Sequence, residues 1–261
     1  MTDKILTEQS GEIARIIFNQ PEKRNAVSLE MWQAVEAAVT RFAADDSVRI
    51  LILSGAGGKA FVSGADISKF ESERASEEAV AHYNATTKRV YDMVEAFPKP
   101  TIAQIDGFCI GGGVALALCC DIRICGEGSN LAVPAAKLGL GYGFPGLKRL
   151  VDVVGPAFAK EIFYTARRFN AQECKAMGLV NRVVPDAEVG RVAEDTAKMI
   201  GANAPMTVAS TKFIIGQTLL PESQQDLDAC DARVKACFDS KDYIEGRRAF
   251  LEKRKANFIG A

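Results

Sequence analysis

The chain has 261 residues, 32 Lys and Arg against 33 Asp and Glu, one His, seven Cys and 48% hydrophobic residues. That length makes one large domain, or one domain with an appendage, able to bury a core without disulfide or metal staples. A net charge of −1 offers no overall field for a nucleic-acid backbone or an anionic membrane surface, so neither is expected as a partner and any bound anion must be met by local donors. The one histidine, His82, excludes multi-histidine zinc sites and leaves a Ser-His-Asp mechanism resting on a single position. No metal site is expected. An odd number of cysteines without a CxxC spacing fits reduced thiols in a cytoplasmic protein. Met1-Thr2-Asp3-Lys4 does not open a signal peptide, and no stretch approaches the roughly 18 apolar residues of a membrane span.

Residues 13–18 are an apolar, β-branched run closed by Asn19-Gln20-Pro21, which predicts a strand entering a turn. Ser28 then caps a helix carrying Met31, Val35, Ala38, Val39 and Phe42 at helical spacing. Residues 48–53 read as a buried strand, followed by Gly55-Ala56-Gly57-Gly58. With Lys59-Ala60 this segment spells a GxGxxA dinucleotide fingerprint, but that device needs a helix opening at its glycines, whereas strand-like Phe61-Val62 follows. A glycine-rich turn is the better account, and the spacing also fails for a phosphate-binding P-loop. A helix is predicted over residues 76–97, stopped by Pro98-Lys99-Pro100, with strands at 101–105, 122–125 and 131–133. After about Val184 the pattern turns helical, over 186–200, 206–218, 222–238 and 242–255, with Pro185, Pro205 and Pro221 marking starts. The organisation is an α/β core with a helical tail whose apolar stripes need a neighbour or the core itself for cover.

Two loops carry chemical information. Gly111-Gly112-Gly113 lies between the strand at 101–105 and the helix-forming run Val114-Ala115-Leu116-Ala117-Leu118. Glycines at a helix start leave backbone N–H groups open to an incoming oxygen, as an oxyanion hole requires; a tight packing turn is the other reading. Phe61-Val62-Ser63-Gly64-Ala65-Asp66-Ile67 supplies a second donor loop.

With both loops in place, the chain resembles the crotonase (enoyl-CoA hydratase/isomerase) superfamily. Pro21-Glu22-Lys23-Arg24-Asn25-Ala26, Lys99-Pro100, Cys120-Asp121, Leu138-Gly139, Thr165-Ala166-Arg167 and Gly178-Leu179-Val180 extend the likeness over nearly its whole length. The resemblance implies an α/β fold, a spiral of ββα units over residues 1–200 holding an acyl-CoA site, with a C-terminal α-helical trimerisation region over 201–261. It implies a homotrimer or a dimer of trimers, an acyl-CoA thioester substrate, and no cofactor beyond the CoA moiety. It assigns the thioester oxygen to the N–H groups of Ala65 and Gly112. Lys23, Arg24 and Ala26 would lie along the CoA pantetheine and phosphates, Asp66 and Ile67 beside the adenine, and Lys255 and Phe258 at a neighbouring subunit's nucleotide. For the basic residues a solvated surface is the competing reading, and for Asp66 it is a loop-fixing role.

The sequence also departs from the hydratase pattern. The two glutamates that hold water in hydratases of this family correspond to Ala115 and Ala135 here. Such groups each contribute about 10² to 10⁴ in rate, so their absence points toward decarboxylation, C–C cleavage or hydrolysis through an enolate. Leu138-Gly139-Leu140-Gly141-Tyr142 and the run from Phe238 to Lys255 resemble the methylmalonyl-CoA decarboxylase branch, which has a tyrosine matching Tyr142 but a histidine matching Ala65 and a glutamate matching Ala115. Tyr142 is the side-chain candidate for catalysis, with a turn tyrosine packed over the pocket as the competing reading. His82 is expected at the surface or rim. The alternatives are a hydratase/isomerase with substitute acid and base groups, and a non-catalytic acyl-CoA binding protein.

Overall fold

Strands that are apolar on both faces need cover on both sides, and the chain meets that need by winding. The computed structural model describes residues 2–69 and 75–261. β1 (Ile5–Ser10) and β2 (Ile13–Phe18) form an antiparallel hairpin turned by Gly11 at φ +57°. β2 then pairs in parallel with β3 (Ile50–Gly55), β3 with β5 (Thr101–Ile105), β5 with β7 (Ile122–Gly126), and β7 with β10 (Arg182–Val184). The resulting sheet has the order β1-β2-β3-β5-β7-β10. β3, β5 and β7 each run on into a short second strand, β4 (Ala60–Val62), β6 (Phe108–Ile110) and β8 (Asn130–Ala132). These pair in parallel in a second sheet, which antiparallel β9 (Phe169–Asn170) completes.

α1 (Leu29–Ala44) links β2 to β3, and α2 (Glu77–Glu95), α3 (Gly112–Leu118) and α4 (Phe144–Thr165) follow the strand pairs. This is the spiral of ββα units that the resemblance implies. α5 (Ala171–Ala176) and α6 (Val189–Gly201) come next, and the chain continues through α7 (Pro205–Thr218), α8 (Leu227–Asp239) and α9 (Lys241–Glu252). The sequence reading marks β4 only as strand-like Phe61-Val62 and lacks β1, β6, β9, β10, α4 and α5. Three-residue strands are too short to show a period, and α4 is two helical segments meeting at a kink at Gly155, φ +74°, and Pro156, which breaks the helical period. The tail helices also differ at their ends: a 3-10 turn at Glu222–Gln224 precedes α8, and Lys253 at φ 54° stops α9 short of residue 255.

Alternation along β3 divides the core. Leu51 and Leu53 join Val35, Val39, Val90 and Val94 of α1 and α2, whereas Ile50 and Ile52, with Ile13, Ile102 and Ile124, meet Val189, Ala193 and Ala197 of α6. α6 therefore packs back on the larger sheet. The helices beyond it are fastened at points. Lys212 of α7 donates to the Asp121 carboxylate at 2.8 Å and the Lys99 carbonyl at 3.0 Å. Arg49 pairs with Glu12 at 3.0 Å and donates to the carbonyls of Gly201 and Phe258. Leu227, Phe238, Ile244, Phe250 and Leu251 of α8 and α9 stay exposed in the single chain.

α3 is the short helix packed against β4 and β6 of the second sheet, with α2 and α4 beside it. A Cβ on Gly113 would lie 2.1 Å from the Val62 carbonyl oxygen, so only glycine allows the helix to sit this close to β4. At its other end buried Arg123 donates to the carbonyls of Cys120 at 2.6 Å, Ala117 at 3.4 Å and Leu179 at 2.8 Å. Gly113→Ala is expected to cost about 1–3 kcal/mol of stability in denaturant unfolding. Gly216→Ala, on α7 with open space at its Cβ position, serves as the control and is expected to stabilise by about 0.4–1 kcal/mol. Equal midpoints for the two variants would show that α3 retreats without cost.

Candidate active site

Ala65 is placed by a bridge to the turn that precedes α1. The Val27 N–H donates to the Gly64 carbonyl at 2.8 Å and the Asp66 N–H donates to the Val27 carbonyl at 3.0 Å. Because both of its neighbours bond toward Val27, Ala65 turns its own N–H to the opposite side, where among the described residues it donates to nothing. Gly64 makes the turn at φ +103°.

Gly112 is the first residue of α3, so its N–H has no intrahelical acceptor, and among the described residues it finds no other. Gly111, at φ +55°, ends β6 and donates to the Ala132 carbonyl at 2.8 Å. A Cβ on Gly112 would lie 3.9 Å from the Gly64 Cα, which puts the two loops side by side. The fold thus sets the loops of Ala65 and Gly112 side by side, each with an N–H that has no acceptor among the described residues and one of them at the positive end of a helix, an arrangement able to receive an oxygen on which negative charge gathers.

Beyond Gly112 the surroundings are apolar. Val114, Ala115, Leu118, Val133, Tyr142 and Phe163 line a small cavity, and no carboxylate is among its lining residues. The Tyr142 ring packs edge-on against Phe163 at 4.9 Å, and burial together with the nearby Cys119 thiol pushes its phenol pKa up. Tyr142 is therefore both a packed ring and a protonated hydroxyl. Ala135 is buried at the start of the 3-10 turn Pro134–Leu138.

The residues expected around CoA fall into two groups. Lys23 reaches the Asp66 carboxylate at 2.9 Å and the Ser68 hydroxyl at 2.8 Å, and Arg24 lies 4.9 Å over the Phe108 ring. Ala26 is buried beside them and Ile67 is 71% exposed. Asp66 is buried; burial alone would raise its pKa, but hydrogen bonds from Ser68, Lys23 and Gln20 outweigh that and hold it at about 2. Its side chain fixes the loop. Phe258, by contrast, packs near Gly246 of α9, and Lys255 is exposed. Among the described residues no hydrogen bond or ion pair links either of them to the Ala65 loop. His82 is exposed on α2. Among the described residues there is no group of three or more His, Cys, Asp or Glu that could hold a metal, and no helix is long and apolar enough to cross a membrane.

Sequence reading passed over Asn25 and Tyr91. Asn25, buried at φ 55°, accepts from the Gln20 N–H at 2.9 Å and donates to the carbonyls of Ala56 and Ala60 at 3.0 and 2.7 Å, locking the Lys23 turn to the entry of β4. An asparagine beside a proline turn is its signal. Tyr91 donates to the Gly112 carbonyl at 3.1 Å. Its signal is a phenol on the inward side of α2, where a hydroxyl needs a partner.

Known proteins match this chain over its full extent. The profile described as enoyl-CoA hydratase/isomerase matches residues 8–261. A crotonyl-CoA hydratase of Syntrophomonas wolfei is 35% identical over 257 residues, covering 98% of each chain. A short-chain-enoyl-CoA hydratase of Clostridium acetobutylicum is 32% identical over 253 residues, 97% of this chain and 96% of that one. Among solved structures, an enoyl-CoA hydratase/carnithine racemase from Magnetospirillum magneticum superposes with a TM-score of 0.93 at 39% identity, covering 100% of this chain and 97% of that chain.

The depressed Asp66 pKa fixes the sign of a pH effect. A carboxylate at about 2 when folded, against about 3.9 when unfolded, stabilises the fold in full above the unfolded value and loses that contribution as pH falls toward 2. Asp66→Asn is therefore expected to lower unfolding free energy by about 2 kcal/mol at neutral pH, with the gap to wild type closing between about pH 5 and pH 2. A gap independent of pH would show that packing, not charge, is what Asp66 supplies.

Proposed function

Because this chain belongs to the enoyl-CoA hydratase/isomerase family, we propose that it is an enzyme that holds the carbonyl oxygen of an acyl-CoA thioester between the N–H groups of Ala65 and Gly112 and stabilises the enolate formed there. The observation that carries this reading is a pair of N–H groups on neighbouring loops that have no acceptor among the described residues, one of them opening α3. As electrons move from the α-carbon toward the thioester, charge builds on the oxygen, and donors already aimed at it need no reorganisation. The walls beyond are apolar, which strengthens those hydrogen bonds. Such chemistry needs no cofactor beyond the CoA carried by the substrate. Lys23, Arg24, Ala26 and Ile67 are the proposed CoA contacts on this chain, with Asp66 fixing the loop that presents them. Lys255 and Phe258 are proposed to serve a neighbouring copy.

Two classes of reaction pass through such an enolate. The absence of a carboxylate in the cavity lining supports decarboxylation, C–C cleavage or hydrolysis, with the protonated Tyr142 hydroxyl as the group that orients or protonates the α-carbon. Hydration or isomerisation is supported by the names of the relatives and requires acid and base groups other than Ala115 and Ala135.

Crotonyl-CoA separates the two. On the first reading hydration is slower than in a two-glutamate hydratase by at least about 10²-fold, and Ala115→Glu with Ala135→Glu raises it. Hydration at the rate of such an enzyme selects the second. Under either reading Ala65→Pro and Gly112→Pro each remove a donor that makes no hydrogen bond among the described residues, and each is expected to lower kcat about 10²- to 10³-fold. A folded variant with undiminished kcat would remove that N–H from the mechanism.

The exposed apolar residues of α8 and α9 support an assembly as well, with residues 201–261 as the trimerisation region of a homotrimer or dimer of trimers. Sedimentation is expected to give three or six copies, and Phe250→Glu with Leu251→Glu to reduce the mass. A monomeric wild-type chain at micromolar concentration would refute the assembly.

A further inference from the structure

The Gly112 N–H is presented by three consecutive glycines, the sequence with the greatest backbone freedom a chain can have. A donor worth having must nonetheless be aimed, and each glycine is held by something different. Gly111 is anchored through its N–H to the Ala132 carbonyl at 2.8 Å. Gly113 is wedged against the Val62 carbonyl, which lies 2.1 Å from the position of a Cβ. Gly112 is held from α2. The Tyr91 hydroxyl donates to its carbonyl at 3.1 Å, and the same oxygen stands 3.1 Å from where a Cβ on residue 112 would be, filling the space a side chain would take.

Tyr91 is itself fixed. Its ring meets Trp32 of α1 at 5.4 Å and 80°, and the Trp32 indole N–H donates to the Tyr83 hydroxyl at 3.3 Å, so the phenol projects from the packed α1–α2 interface. We propose that Tyr91 is a positioning residue whose hydrogen bond to the Gly112 carbonyl, with the Gly111–Ala132 bond on the other side, brackets the 111–112 peptide and aims its N–H at the substrate oxygen. This rests on the assignment of Ala65 and Gly112 to the thioester oxygen. Burial, with Tyr142 and Cys119 nearby, keeps the Tyr91 phenol pKa well above its ordinary value, so the hydroxyl remains a donor across the working pH range.

Tyr91→Phe keeps the ring and removes only the hydroxyl. The readout is an arylacryloyl-CoA thioester, whose absorption moves to the red as its carbonyl is polarised, so it reports aim without requiring turnover. Wild type is expected to shift the bound probe to the red. The variant should show less than half of that shift, with the probe's Kd within about twofold and kcat reduced about three- to tenfold at nearly unchanged KM, the effect of one hydrogen bond. A full shift in Tyr91→Phe overturns the proposal, and a full shift with a lower Tm or weaker binding assigns Tyr91 to packing alone. A probe that wild type binds tightly without any shift overturns the oxygen assignment first, and the proposal with it. Gly112→Ala provides the second arm. Its methyl crowds the hydroxyl, so Gly112→Ala with Tyr91→Phe should be no worse than Tyr91→Phe alone; additive losses would show that the hydroxyl does not occupy that space.

Discussion

The contact on which the rest depends is the one between α3 and β4 at residue 113, where the Val62 carbonyl oxygen occupies the place of a missing side chain. It sets how far the start of α3 stands from the loop leaving β4, and so whether Gly112 and Ala65 can act on one atom. Hydrogen bonds elsewhere refine that distance. Gly111 ties the helix start to β8, Tyr91 ties it to α2, and the Val27 bridge holds the opposing loop. The site is therefore a meeting of three layers of the fold, with no single loop able to make it.

Electrostatically α3 is an asymmetric element. Near its C-terminal end the buried Arg123 guanidinium donates to the Ala117 carbonyl, and to the carbonyls of Cys120 and Leu179 just outside the helix, whereas the first N–H of the helix has no acceptor among the described residues. Neutralising the negative end while leaving the positive end unmet concentrates the helix field where an oxyanion would lie. The phenols of Tyr91 and Tyr142 and the Cys119 thiol are all pushed toward their neutral forms by burial. Backbone supplies the polarity and side chains supply the dryness.

Much of this was legible in the sequence, for reasons that can be located. β2, β5, β7, α1 and α2 carry regular apolar periods, and the triple glycine between strand and helix advertises an open helix start. β6 is different: its three residues are a strand only because the second sheet pairs them, which is information held by distant segments, whereas β4 and β8 show in the sequence as strand-like Phe61-Val62 and the run at 131–133. The reading of Gly55 to Ala60 as a turn agrees with the structure, since β4 and not a helix follows it. What could not be seen was the support behind the donors. Asn25 sits in a left-handed turn and Tyr91 on an ordinary helix face, and only three-dimensional proximity gives either residue its partner. The role of Lys23 changed similarly: a free-looking cation turns out to be joined to Asp66 and Ser68.

The parallel pairing that builds the second sheet also bears on how the molecule assembles. β4 and β6 are joined across more than forty residues of intervening chain, and Arg49 bonds a carbonyl 209 positions away. Contacts of such span form only after much chain entropy has been surrendered, so folding is governed by late, non-local closure. The two donors come from opposite sides of one of those closures. Only when that closure is complete do the Ala65 and Gly112 loops stand side by side.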